Sequence, residues 1–249
     1  MSDDELLDYE EHIANNIVKK LNSVNKPTTV TRAVELLMKR IVSGGNCLSF
    51  LRKCSSRFPK YDSALDGALI LRGIYDAMLQ ALFILSDPTK CEERAQLYMD
   101  YYWVERHGAI TLFDKNPTAL AGRIKASPKR IQAEPAIEKE FQQVKAKFLT
   151  DDGKLRQHWY RGSLRDLAKD VGLDPEYELL QKQLSGAVHS SPLFLKDGPV
   201  YRDFLLLDLS WRFSFRVLGK FAEYKGVTLD PTEEQMVQES FGNIFDCPL

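Results

Sequence analysis

The sequence predicts an all-α fold, a single helical bundle of about seven to nine helices with short connections. Apolar residues recur at helical spacing along nearly every long segment, and no segment shows the sustained alternation of a strand. The composition, 44% hydrophobic and 28% charged, is typical of a folded chain and argues against disorder. A length of 249 residues is near the upper limit of what one hydrophobic core supports, so we expect one domain.

Residues 1–60 predict a pair of helices. The apolar side chains of residues 4–24 fall on one side of a helix. After a short linker, Thr28 or Thr29 can cap a second helix. The segment Ser43-Gly44-Gly45 predicts a break or a kink within that second helix.

Residues 61–225 are expected to form the core bundle. The most apolar helix is predicted at 63–86, and another at about 90–113. Charged side chains interrupt the apolar stretch 64–85, so it predicts a buried core helix and no membrane span. Prolines punctuate residues 114–135, where we expect short turns and loops.

The remaining core is predicted to be helical as well. A polar helix is expected at 136–148. Residues 159–192 predict a short helix, a Gly-Leu-Asp-Pro break, and an amphipathic helix that ends at His189. A long apolar helix follows at 201–225, and residues 226–249 are expected to form a tail with a final helix.

Composition and missing motifs exclude several classes of protein. The net charge of −1 gives no global attraction to nucleic acid or to an anionic membrane, so RNA binding would need a local basic patch. The four cysteines form no CxxC, and no histidine stands at metal-ligand spacing from them. This predicts a cytoplasmic protein with reduced thiols and no metal site. The sequence has no GxxxxGK[ST], GxGxxG, GxSxG or HExxH motif, and we expect no cofactor.

The first candidate site residues are Arg72 and Asp76, four residues apart in the most apolar predicted helix. Lone charges are costly to bury there, so these two must pair, meet other polar groups or line a pocket. One interpretation is a salt bridge that locks helix packing, and the other is an arginine that Asp76 orients towards an anionic ligand. Tyr102 and Glu105, on one face of the next helix, could extend a buried polar network, although such aromatic residues are more often core.

Two further candidates lie in 154–192. His189, at the end of its predicted helix, is a candidate for proton transfer, or it is a histidine stabilised by the helix dipole. A basic run interleaved with aromatic residues suits single-stranded nucleic acid, and its candidate binding residues are Arg156, Trp159, Arg161 and Arg165. The alternative is a solvated basic face with Trp159 as a hydrophobic anchor.

Two blocks of sequence are the most specific. The first runs from LILRGIYDAMLQALFILSD at 69–87 through ERAQLYMDYYWVERHG at 93–108, and the second is HWYRGSLRDLAKDVGLDPEYELLQKQLSGAVHSSP at 158–192. In these blocks the chain resembles a bacterial helical family known only as a domain of unknown function, DUF5677. The resemblance implies that the Arg72 helix, the tyrosine-rich helix and the His189 helix pack together, and it implies no activity. It points to Arg72, Asp76, Tyr102, Glu105, Trp159, Ser185 and His189.

The sequence favours a non-catalytic module that binds a protein partner, a second copy of itself or a small ligand, in phage defence or a stress response. The alternative is a metal-independent ribonuclease with fold-level similarity to HEPN-like proteins. His189 would then move a proton, and Arg72 would stabilise charge on the phosphate. The HEPN signature has an arginine four to six residues before the histidine, and no histidine here has one. Such a site would therefore be assembled from separate helices.

Overall fold

Ten α-helices and one 3-10 helix make up the regular structure of the described residues. A computed structural model describes residues 3–57, 63–115, 118–188 and 203–242. The helices are α1 (Asp3–Ser23), α2 (Thr29–Arg57), α3 (Ser63–Leu85), α4 (Cys91–Lys115), α5 (Ala119–Lys125), α6 (Pro128–Val144), the 3-10 helix (Lys145–Phe148), α7 (Leu164–Asp170), α8 (Asp174–Val188), α9 (Asp203–Lys225) and α10 (Pro231–Ser240). The only β pairing in these ranges is one isolated bridge, Leu149 to Leu155, so the all-α prediction is confirmed.

The chain forms two compact units. The first contains Met1–Cys91 and Gly162–Leu249, and the second contains Glu92–Arg161. The first unit therefore holds α1 to α3 and α7 to α10, and the second holds most of α4 together with α5 and α6. The single domain expected from chain length stays a prediction, because two compact units can still unfold as one cooperative domain.

The first unit is built around α3, which packs against α2, α9, α8 and α7. Its side chains at Leu71, Ile74, Met78 and Leu79 are fully buried. Within the described chain, the stretch Asp66–Leu85 is the one helix long and apolar enough to cross a membrane, and 61% of it is buried inside the protein. A helix that is apolar on most sides is what the centre of a bundle requires.

Helix α2 runs unbroken through Ser43-Gly44-Gly45, where the sequence predicted a break or a kink. A Cβ atom at Gly44 would lie 2.5 Å from Cγ1 of Ile74 on α3. Gly67 of α3 approaches α9 in the same way, since its Cβ would lie 2.6 Å from Cδ1 of Leu206. These glycines therefore mark the close approach of packed helices.

Residues 114–135, expected to be turns and loops, largely belong to helices. Thr118 caps α5 by accepting a hydrogen bond from the backbone N–H of Ala121. Pro128 starts α6, where its missing N–H removes no helical bond, although Pro135 lies inside the same helix. The helix forms despite Pro135 because one of its faces is buried. That face consists of Ile137, Phe141 and Val144.

The predicted short helix, break and amphipathic helix are confirmed as α7 and α8. Ser163 and Asp166 form a reciprocal capping box that starts α7. Gly172, with a φ of +76°, ends that helix and leads into α8. The final predicted helix is also present, as α10, with a capping box between Asp230 and Glu233.

Candidate functional site

Arg72 and Asp76 form an ion pair on α3, with Arg72 Nε 2.9 Å from Asp76 Oδ1. The Arg72 side chain is only 17% exposed. Its Nη1 atom is buried and has no hydrogen-bond partner among the described residues. The ion pair with Asp76 therefore leaves the buried Nη1 donor of the guanidinium group without an acceptor among the described residues.

A second buried arginine, Arg216 on α9, repeats this arrangement. Its side chain is fully buried, its Nη1 donates to Glu176 Oε1 at 2.7 Å, and its Nε donates to the Ser240 carbonyl at 2.5 Å. Its Nη2, like Arg72 Nη1, has no acceptor in the described part of the chain. Sequence analysis missed Arg216, which is one of three arginines in the predicted helix 201–225.

A buried tyrosine, Tyr75, shares a face of α3 with Arg72. It follows Arg72 by three positions on α3, is fully buried, and packs against the rings of Tyr177 and Phe213 at 6.5 and 5.2 Å. Burial, reinforced by the charge of Glu176, raises the pKa of the Tyr75 hydroxyl, while the positive charges of Arg216 and Arg72 act in the opposite direction. The hydroxyl is thus within electrostatic reach of both arginines, and no described residue accepts its proton.

Helix α8 contributes Glu176 to the site, and it also carries Gln181. Burial raises the pKa of Glu176, and the attraction of Arg216 only partly offsets this effect. Gln181 Oε1 is buried without a donor from any described residue. We call Arg72, Tyr75, Glu176 and Arg216 the α3–α8–α9 cluster.

Three buried donor groups of the cluster are unsatisfied. They are Arg72 Nη1, Tyr75 OH and Arg216 Nη2. Buried polar atoms are almost always hydrogen-bonded, and each one left unpaired costs about 1–3 kcal/mol. The cluster is therefore suited to a group that offers mainly acceptors.

The other predicted network residues belong to different units. Tyr102 and Glu105 lie in the second unit, where Tyr102 is 50% exposed and Glu105 is exposed. On the same helix it is Tyr101 that is buried, and its hydroxyl donates to the Arg156 carbonyl at 3.0 Å. Ser185 is half-buried on α8, four residues beyond Gln181. His189 lies outside the described residues.

The predicted nucleic-acid residues do not form an exposed stacking platform. Trp159 is buried and meets the Tyr98 ring edge-to-face at 5.6 Å, as expected for a hydrophobic anchor. Arg156 donates to the Lys147 carbonyl, and Arg161 is exposed. Arg165 pairs with carboxylates of its own unit, at 3.3 Å from Asp174 and 2.5 Å from Glu178. RNA binding through this run stays a prediction.

No group of three or more His, Cys, Asp or Glu side chains among the described residues could hold a metal ion. Cys47, Cys54 and Cys91 are free thiols, and only Cys47 is exposed.

Comparison with known protein families finds one family whose model matches the chain. The model of a family described as "Family of unknown function (DUF5677)" matches residues 60–197. The chain belongs to this family. The matched segment contains α3 with Arg72 and Tyr75, and α8 with Glu176 and Gln181, while Arg216 lies beyond it.

Comparison with curated proteins found no match, and comparison with solved structures found none either. No finding supports the expected fold-level similarity to HEPN-like proteins. Membership of DUF5677 is therefore what the comparisons contribute, and the function has to be argued from the site.

Proposed function

We propose that this protein is a non-catalytic helical module that binds a carboxylate- or phosphate-bearing ligand at the α3–α8–α9 cluster. The observation that carries the proposal is the set of three buried donors with no acceptor, on Arg72, Tyr75 and Arg216. A sealed structural network would pair these atoms. We place its action in the bacterial cytoplasm, in phage defence or a stress response, as the sequence led us to expect.

The ion pairs of the cluster favour a ligand-binding role over a purely structural one. Asp76 fixes Arg72 through Nε, and Glu176 fixes Arg216 through Nη1. In both cases a carboxylate holds one part of the guanidinium group and leaves another nitrogen unused. Guanidinium groups held in this way lose little freedom on binding an oxyanion, which strengthens recognition of carboxylate and phosphate groups.

Thermal unfolding in the presence of acetate, phosphate or chloride, at constant ionic strength, tests the proposal. A ligand that binds only the folded state raises the melting temperature, and at 100 times its Kd it adds about 2.7 kcal/mol. We expect acetate or phosphate to stabilise the protein more than chloride does. Arg72→Gln should abolish this difference, and Tyr75→Phe should reduce it.

Arg165→Gln is the matched control, because Arg165 is an exposed arginine that also pairs with carboxylates. It should respond to the anions as the wild type does. Equal stabilisation by all three anions, or an unchanged response in Arg72→Gln, contradicts the proposal.

The alternative function is the metal-independent ribonuclease, which would use the same Arg72 with His189. The buried, unpartnered Nη1 of Arg72 is compatible with contact to a phosphate. A cleavage assay on single-stranded RNA with His189→Ala separates the two functions. Under our proposal the wild type cleaves no more RNA than His189→Ala does. Acetate and phosphate should raise the melting temperatures of these two proteins equally.

A further inference from the structure

Arg40 of α2 lies across α3 at Gly73. A Cβ atom at Gly73 would lie 3.2 Å from Cζ and 3.3 Å from Nε of Arg40, and closer still to its Nη2. All three atoms belong to the guanidinium group, so this group rests against the α3 backbone in the space that the missing side chain leaves free. Helices α2 and α3 pack against each other, and the glycine therefore places the Arg40 charge directly on α3.

The Arg40 charge lies beside the ion pair of Arg72 and Asp76. Gly73 directly follows Arg72 in the chain, and neighbouring Cα atoms are about 3.8 Å apart. Gly73 also precedes Asp76 by three positions, a spacing that puts both on one face of the helix. This part of α3 therefore brings together two positive side chains and one negative side chain.

Arg40 has no acid of its own. In the described part of the chain, no side chain forms an ion pair or a hydrogen bond with Arg40, and Arg40 is exposed. By contrast, Arg72 pairs with Asp76, and Arg216 pairs with Glu176. Arg40 therefore adds a positive charge that no described carboxylate offsets. It adds this charge on the solvent side of Arg72, which is only 17% exposed.

The surplus charge and the number of donors distinguish the two ligand classes. A phosphate monoester carries about −1.5 to −2 charge and three terminal oxygens at pH 7, whereas a carboxylate carries about −1 and two oxygens. The attraction between a ligand and Arg40 rises with the charge of the ligand. The three unsatisfied donors of the cluster also match three acceptor oxygens better than two. Both properties therefore favour the phosphate monoester.

We propose that Arg40 is a further anion-binding residue of the α3–α8–α9 cluster and makes the site selective for a phosphate monoester. This inference rests on the proposed ligand binding, and it narrows two ligand classes to one. The terminal oxygens of the phosphate accept hydrogen bonds from the buried donors, and Arg40 contacts the phosphate from the side of α2. A phosphodiester has a single charge and two terminal oxygens, so the same argument disfavours nucleic acids and most lipid head groups.

Isothermal titration calorimetry with methyl phosphate, dimethyl phosphate and acetate tests the proposal. The titrations are made at about pH 8, where a phosphate monoester with a second pKa of about 6 is a dianion. Ionic strength is held constant, because salt screens the exposed Arg40 charge. We expect methyl phosphate to bind at least about tenfold more tightly than dimethyl phosphate or acetate.

Two substitutions test Arg40 itself. Arg40→Gln removes the charge and should weaken methyl phosphate binding by about tenfold, and acetate binding by about threefold. Gly73→Ala keeps the charge but displaces the guanidinium group, which can move because it ends a flexible, exposed side chain. It should cause the same selective loss. The double variant should bind methyl phosphate no more weakly than Arg40→Gln does, since both changes act on one contact.

Arg32→Gln is the matched control. Arg32 is also an exposed arginine of α2 without an ion pair to any described residue, and it lies about 12 Å along the helix from Arg40. This variant loses the same charge from the same helix. Its affinity for methyl phosphate should stay within about twofold of the wild-type value.

The outcomes separate this inference from the proposed ligand binding. If Arg72→Gln abolishes methyl phosphate binding while Arg40→Gln and Gly73→Ala leave it unchanged, the role of Arg40 is overturned and the proposed ligand binding stands. Equal affinities for methyl phosphate and acetate, or tighter binding of dimethyl phosphate, also overturn the selectivity. An equal loss of binding in Arg32→Gln would show a general effect of charge and no contact by Arg40. Binding of none of the three anions overturns both proposals.

Discussion

Glu10 is a buried acid on α1 that faces α9. Its Oε2 atom has no partner among the described residues, and nearby Asp208 pairs with Arg212 at 2.9 Å. Burial, followed by the charge of Asp208, raises the pKa of Glu10 to about 8, although Arg212 acts in the opposite direction. Glu10 is therefore mostly protonated at neutral pH.

This buried acid predicts a pH-dependent stability. The pKa of Glu10 is about 8 in the folded protein and near 4.5 in an unfolded chain, so the folded state holds the proton more tightly. The stability contributed by the tightly bound proton of Glu10 is fully present below about pH 4.5, and it is lost as the pH rises through about 8. Glu10→Gln should be more stable than the wild type at pH 9, by up to about 5 kcal/mol, and close to it at pH 5.

Urea denaturation at pH 5, 7 and 9 measures the effect. Glu11→Gln provides the control, because Glu11 is the exposed neighbour on the same helix. Its stability relative to the wild type should hardly change with pH. A Glu10→Gln protein no more stable than wild type at pH 9 would mean that Glu10 does not carry this penalty.

The candidate site could be predicted only in part from the sequence. The four-residue spacing of Arg72 and Asp76 is enough to predict a pair on one helix face, and the structure has that pair. Helical spacing does not say which face points inwards, however. For this reason the pattern alone favours Tyr102, whereas Tyr101 is the residue that the structure buries. Arg216 was missed because its importance arises from contacts with other helices, which periodicity within one helix does not reveal.

At the scale of helices, the contact between α2 and α3 depends on Gly44. Alanine normally favours a helix over glycine by about 1 kcal/mol. At Gly44, however, a Cβ atom would lie 2.5 Å from Ile74 Cγ1 and 2.7 Å from Cδ1, and Ile74 is fully buried. Relief of that contact costs about 1–3 kcal/mol, so we expect Gly44→Ala to lower the free energy of unfolding by about 1 kcal/mol.

Gly108→Ala on α4 is the matched control for this helix contact. A Cβ atom at Gly108 meets nothing within 4 Å. Only the helix preference of alanine over glycine acts there, so the free energy of unfolding of the variant should rise by about 0.5–1 kcal/mol. In chemical denaturation, the two substitutions should therefore change the free energy of unfolding in opposite directions. If both substitutions stabilise the protein, Gly44 has no packing role.

Helix prediction succeeded where one property dominates and failed where two properties compete. The apolar pattern of α3 is continuous and predicts a single helix, so the predicted and observed helices nearly coincide. In α2 the glycines are typical of a break, but packing against α3 outweighs their flexibility. In α6 the prolines predict turns, but burial of Phe141 and its neighbours on one face holds the helix together.

At the scale of the whole molecule, the two compact units raise the question of cooperativity. The first unit contains Trp211, and the second contains Trp103 and Trp159. In a Trp211→Phe variant, tryptophan fluorescence therefore reports on the second unit alone, whereas far-ultraviolet circular dichroism reports mostly on the larger first unit. If the chain is one cooperative domain, the two urea transitions should coincide. Separate midpoints would show two domains.

The order of synthesis treats the two units differently. The second unit, Glu92–Arg161, is continuous in the chain, so all of it has been made before translation reaches α7. The first unit is discontinuous in the chain, so α3 cannot pack against α9 until α9 has been synthesised. Helix α9 ends 140 residues after Leu85. At elongation speeds of about 5–20 residues per second, this delay is about 7–28 s. During this time the most apolar helix of the protein has no α9 to cover it, and a ribosome-associated chaperone has the opportunity to bind.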